Sequence, residues 1–196
     1  GRPELMMTVE WAMRDWRKTG CDECLSEWDL KPDELREGFR SIRQDWLKAD
    51  RAQWLRQHKF HEGVPDCLEA MLRIGASVFV FTSGGADICR AVLEDLGLEV
   101  PPEQIIAVEA QSKEEALREL VSRPDMLGKK FHYIEDEWGI LKEIMHAPDL
   151  ESVDLYMADW GFSTKKDKSL ASSPIFRTKL LSIADLPNIG VGGPWQ

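Results

Sequence analysis

Ala76-Ser77-Val78-Phe79-Val80-Phe81-Thr82-Ser83-Gly84-Gly85 is the stretch on which the fold turns. Val78 to Phe81 are all apolar and either β-branched or aromatic. A strand buried on both faces of a parallel sheet reads this way. The run stops at two hydroxyls and two glycines. A helical pattern follows through Ala86, Cys89, Val92, Leu93 and Leu96, and Gly97 closes it. Strand, hydroxyl-glycine turn and helix put small polar groups at the carboxyl end of a strand, where open α/β sheets bind ligands. The plainer alternative is an ordinary βα turn without a ligand.

Beyond this stretch the pattern alternates. A helix is expected from Pro65 through Leu68, Met71 and Leu72 to Gly75, just before the strand expected over 77–82. After it, strands are expected at 105–108, 131–134 and 153–157. Helical faces lie between them: Ala116, Leu117, Leu120 and Val121, then Ile140, Leu141, Ile144 and Met145. A polar Ser/Lys loop follows 159–164. A short strand is then expected within 175–183, with a turn near Ser182 to Leu186. Regular strand-helix alternation predicts an α/β fold with a Rossmann-like, mostly parallel sheet.

Towards the amino terminus the pattern is helical throughout. Leu5, Met6, Val9, Ala12, Met13 and Trp16 share one face of a run ended by Gly20. A second helix begins near Pro32 and carries Leu35, Phe39, Ile42, Trp46 and Leu47. A third follows Asp50. Trp11, Trp16, Trp28, Trp46 and Trp54 fall here. They read as the core of a small helical subdomain built from few residues, with an aromatic ligand box as the alternative. The expected organisation is a helical cap over 1–57, an α/β core over 58–190 and a loose, glycine-rich tail over 191–196.

The 196 residues suffice for one domain with a subdomain. A net charge of −10 argues against nucleic acid and anionic membrane as partners. No apolar stretch nears the roughly 20 residues that span a bilayer, so a soluble, intracellular protein is expected. The first residue is Gly1, which points to a processed form or a fragment. Cys21 and Cys24 form a lone CxxC with no second ligand pair for zinc. His58 and His61 are an equally solitary pair. The four cysteines are read as reduced and structurally incidental.

Three polar features end strands or open helices at one edge of the expected sheet. Thr82 and Ser83, with Gly84, end one strand. Lys113 opens a helix. Glu135, Asp136 and Glu137 end another strand. Hydroxyl, backbone amide and ammonium groups bind phosphate oxygens, and a carboxylate cluster holds Mg²⁺ through oxygen ligands. Each has a plainer explanation too: a helix cap, a solvated lysine, or helix N-terminal acids favoured by the macrodipole.

The ordered set resembles the haloacid dehalogenase-like (HAD) hydrolase superfamily. A helical cap, then Val-Phe-Val-Phe-Thr-Ser, then Gln-Ser-Lys-Glu-Glu-Ala-Leu, then Tyr-Ile-Glu-Asp-Glu-Trp matches that family's order of motifs. His-Glu-Gly-Val-Pro-Asp-Cys-Leu looks like the segment that leads into its core, and Asp-Trp-Gly-Phe-Ser-Thr at 159–164 is similar to the Trp-Gly-Tyr turn of phosphoglycolate-phosphatase-like members. More narrowly, the chain resembles a plant and algal branch. The resemblance implies an Mg²⁺-dependent phosphatase acting on a small phosphorylated metabolite. Thr82, Ser83, Gly84 and Lys113 would bind the phosphoryl group, with Thr82 and Lys113 as catalytic residues. Asp136, before Glu135 and Glu137, would be the first metal ligand. It also implies the plastid as compartment, with the cytoplasm as alternative.

Two departures matter. The family's second carboxylate, four residues after the metal-binding Asp, is Ile140 here, and its nucleophilic Asp-x-Asp occurs nowhere in the 196 residues. The strand that carries this motif is therefore expected before Gly1, and its absence would leave the apolar edges of its neighbours open. The alternative function is a non-catalytic HAD-like binding or assembly module. A dinucleotide-binding domain fits poorly, because Gly84-Gly85 is not GxGxxG.

Overall fold

A computed structural model describes residues 26, 27, 29, 31–108 and 111–189. The first helix expected over 3–20, Trp11, Trp16, Trp28, the Cys21/Cys24 pair and the tail over 191–196 lie outside the described residues. The chain divides into two compact units, Gly1–His58 and Lys59–Gln196.

In the first unit, α1 (Pro32–Ala49) starts at a proline, whose missing N–H costs nothing in a first turn. The Glu34 carboxylate accepts from the Lys31 backbone N–H at 3.1 Å. The helix ends at Asp50, whose side chain accepts from Gln53 N–H at 2.9 Å and so starts α2 (Arg51–Leu55). The Trp46 indole N–H donates to Gln53 Oε1 at 3.1 Å, tying the two helices across that corner.

The second unit is α/β. Its elements are α3 (Val64–Arg73), β1 (Val80–Thr82), α4 (Ala86–Asp95), β2 (Ile105–Ala107), α5 (Lys113–Ser122), β3 (His132–Glu135), α6 (Trp138–His146), β4 (Asp154–Ala158), α7 (Lys165–Ala171) and β5 (Thr178–Leu181). All strand pairs are parallel, as helical crossovers require. Among the described residues the strands form two sheets, not the single sheet expected: β1 with β2, and β3-β4-β5 in that order. Val80 lies opposite Ile105 in the first, while Ile134 lies opposite Tyr156 and Met157 opposite Leu180 in the second.

The core follows β4, which is paired on both edges. Leu141, Ile144, Leu150, Val153, Leu155, Met157 and Ala171 are buried together there. The Arg177 guanidinium donates to the Val153, Ile144 and Leu150 carbonyls at 2.8, 3.1 and 3.1 Å. It thereby satisfies the C-terminal carbonyl of α6 and the turn into β4. Burial pushes its pKa down.

Two further expectations are corrected. The strand expected over 77–82 pairs only at Val80–Thr82, because β2 offers just three residues of ladder. The segment expected as a polar loop contains α7. Thr164 Oγ1 accepts from Asp167 N–H at 3.2 Å while Asp167 Oδ2 accepts from Thr164 N–H at 2.9 Å, a capping box that starts a helix without an apolar stripe. The remaining strands sit within a few residues of their expected places. Among the described residues no helix is long and apolar enough to cross a membrane. Cys67 and Cys89 are free thiols, and burial pushes both pKa values up.

Candidate functional site

An open groove of about 780 Å³ lies within the second unit, between β1 and β3. Its mouth is polar. Lys113, Glu135, Asp136, Trp160 and Gly161 meet there.

Lys113 is placed by a cap. Ser112 Oγ accepts from Glu115 N–H at 3.1 Å and Glu115 returns a bond to Ser112 N–H at 2.8 Å, so α5 begins with Lys113 as its first residue. The Lys113 ammonium reaches Glu135 Oε2 at 2.7 Å. Glu135 is almost fully buried, with a side-chain exposure of 5%. The Tyr133 hydroxyl donates to the same oxygen at 3.2 Å, and Oε1 accepts from Asp136 N–H at 3.2 Å. Burial, reinforced by the neighbouring Glu135 charge, drives the Tyr133 pKa far upward, so the phenol stays a donor. A buried ion pair is tolerated when its remaining lone pairs are satisfied, and here they are.

Asp136 points a different way. Its Oδ2 accepts from the Phe162 N–H at 2.7 Å. The 159–164 turn is drawn against it so closely that a Cβ on Gly161 would stand 2.3 Å from Asp136 Cβ. Only glycine fits. From the other side Ser163 Oγ donates to the Ala158 carbonyl at 3.2 Å, and the Lys168 ammonium donates to the Asp159 carbonyl. The Asp-Trp-Gly turn is thus fixed by the residue expected to hold the metal. Glu137 is exposed at the start of α6.

The structure therefore brings Lys113, Glu135 and Asp136 to one groove mouth. Thr82, Ser83 and Gly84 follow Phe81 at the carboxyl end of β1 and are not among the groove-lining residues. The Thr82 hydroxyl accepts from Gly84 N–H at 3.1 Å, closing a hydroxyl turn before α4. Gly85, at φ 91°, lets the chain enter that helix.

Of the three acids expected at the metal, Glu135 is committed to Lys113 and Tyr133, leaving Asp136 and Glu137. Among the described residues no three His, Cys, Asp or Glu side chains stand close enough together to hold a metal ion. Mg²⁺ fits such a sparse donor set, since it keeps several waters and commonly binds one or two carboxylates plus a substrate phosphate.

Tyr133 and Lys168 are the site residues that motif reading missed. Tyr133 stands two residues before Glu135, on the same face of β3, so strand alternation held the signal. Comparison with known family models, curated proteins and solved structures finds no match to this chain.

Proposed function

We propose that the second unit is the core of a HAD-like, Mg²⁺-dependent phosphatase acting on a small phosphate monoester, with the helices of the first unit as its cap and the plastid as its compartment. The observation that carries this is the Lys113–Glu135 ion pair beside Asp136 at the carboxyl ends of parallel strands, where α/β sheets place their ligands. Asp136 would hold the metal, with Glu137, exposed at the start of α6, as the second carboxylate. The metal, when bound, supplies charge neutralisation for phosphoryl oxygens. Lys113 supplies a second positive charge, held in place by Glu135. Thr82 and Ser83 would supply hydroxyl donors just beyond the groove-lining Phe81, in a turn that the Gly84 amide closes onto the Thr82 hydroxyl. No Asp-x-Asp occurs within these 196 residues, so on this reading the nucleophile is not among the groups named here.

The test is a paired assay with a chromogenic phosphate ester, with and without chelator. The 196-residue protein is expected to be inactive, because the covalent route is missing. The protein extended by its natural upstream sequence is expected to turn over in Mg²⁺ and to lose activity in Asp136→Asn. Turnover by the 196-residue protein would make another residue the nucleophile. Inactivity of the extended protein across a panel of phosphate metabolites would favour a binding module.

A further inference from the structure

A second polar cluster stands on the β3-β4-β5 sheet, towards the amino ends of its strands. His132 lies opposite Asp154, and Tyr156 lies between Ile134 and Lys179. Successive side chains of a strand point to opposite faces, so His132, Ile134, Asp154, Tyr156, Lys179 and Leu181 share one face. Further along the strands that face is covered, where Cys67 of α3 and Leu186 pack with Tyr156 and Leu181. His132, Asp154 and Lys179, each near the start of its strand, are half-buried.

Tyr156 is only 2% exposed, and its hydroxyl faces His132 Nδ1 at 3.2 Å. Asp154 Oδ2 stands 3.5 Å from the same nitrogen and 3.0 Å from the Lys130 ammonium. The carboxylate therefore goes chiefly to Lys130, and Nδ1 to the phenol. A phenol that donates to Nδ1 leaves the imidazole proton on Nε2. Nε2–H has no hydrogen-bond partner among the described residues. The Lys179 ammonium lies 5.8 Å from the centre of the Tyr156 ring. The charged groups acting on the imidazole are Lys130 before β3, Asp154 on β4 and Lys179 on β5. That is two cations against one carboxylate, in a chain of net charge −10. A plain cross-strand ion pair accounts for Lys130 and Asp154. It gives no use to an unspent Nε2–H or to a second ammonium beside the same ring.

We propose that this row binds a phosphate dianion, inorganic or carried by a small monoester, between the Lys130 and Lys179 ammoniums and His132 Nε2–H. The site is distinct from the groove mouth: Glu135 is three residues further along β3, roughly 10 Å at about 3.3 Å per residue. It rests on the cross-strand geometry, independently of the phosphatase reading. Donors from three segments suit a tetrahedral oxyanion, whose oxygens point in several directions. A monocarboxylate brings one charge and two oxygens. A nucleic acid or an anionic bilayer needs a broad basic surface, which a chain this acidic does not offer. The dianion also supplies the negative charge that the imidazole lacks, so binding favours protonated His132.

The ¹⁵N-labelled 196-residue protein is titrated with inorganic phosphate and with glycerol phosphate, at constant ionic strength, with a chelator and no Mg²⁺. Saturable shifts are expected at the His132 ring nitrogens and at the Lys130 and Lys179 amides, with His132 titrating about half to one pH unit higher when the anion is bound. Either anion giving this response supports the proposal and tells which source the row takes. Lys179→Gln and Lys130→Gln are each expected to weaken binding by about tenfold, the cost of one charge-assisted hydrogen bond, while the other amide resonances stay in place. Acetate at the same ionic strength is expected to move none of these signals. Shifts that do not saturate, an equal response to acetate, or unchanged affinity in both variants would overturn the proposal. So would shifts confined to Lys113 and Asp136, which would put phosphate at the groove mouth alone.

Discussion

Glu135 holds an ammonium, a phenol and a backbone amide while almost wholly buried. Removing it alone strands Lys113 beside an apolar groove. Glu135→Leu is expected to cost about 3–5 kcal/mol in urea unfolding, and adding Lys113→Met is expected to recover most of that loss. A double variant as unstable as the single one would mean that the pair contributes nothing specific. Gly161 gives a second contrast. Gly161→Ala drives a methyl into Asp136 and is expected to lower the melting temperature, whereas Gly139→Ala, in α6 with its nearest neighbour 3.8 Å away, is expected to be neutral or stabilising by about 0.5–1 kcal/mol.

His132 carries the pH prediction. Its pKa is lowered, first by burial; Asp154 at 3.5 Å opposes this, while Lys130 and Lys179 add to it. Lys130 also shares the Asp154 carboxylate, at 3.0 Å, and the Tyr156 hydroxyl faces the ring at 3.2 Å. A base with a folded pKa below its unfolded value takes up protons more readily when unfolded. Its contribution is therefore complete above about pH 6.5 and is lost as pH falls through the folded pKa. Wild type is expected to lose stability on that acid limb, and His132→Gln to flatten it. Parallel pH profiles for the two proteins would contradict the assignment.

At the scale of elements, α5 is the one whose start matters most, because its first residue is a site residue. Ser112→Ala removes the cap and is expected to cost about 1 kcal/mol while loosening Lys113 from Glu135. Loss of stability with an unchanged Lys113 ammonium resonance would separate the cap from the site. The same element was legible in the sequence, because Ala116, Leu117, Leu120 and Val121 form an apolar stripe behind Lys113. α7 was not legible: its capping box closes with Asp167, and its Lys-rich body has no stripe to betray it. The apolar runs of β1 and β4 look alike in sequence, yet one is half-exposed and the other buried. Apolarity marks a strand made for two neighbours but cannot say whether both are present. Tyr133 escaped notice for a related reason, since an aromatic in a strand reads as core until its hydroxyl finds Glu135.

At the scale of the molecule, two parallel half-sheets face each other across a groove whose mouth carries Lys113, Glu135 and Asp136. That arrangement positions charge at the carboxyl ends of strands, and an open strand-lined groove leads up to it. The proposed chemistry depends on Asp136 binding a divalent cation while Glu135 stays with Lys113. The most direct measurement is an Mg²⁺ titration of the ¹⁵N-labelled protein in the presence of inorganic phosphate. Saturable shifts are predicted at the amides of Asp136, Glu137 and Phe162 and at the Lys113 ammonium, and they should vanish in Asp136→Asn. No saturable shift at these groups, or the same shifts in Asp136→Asn, would contradict the account.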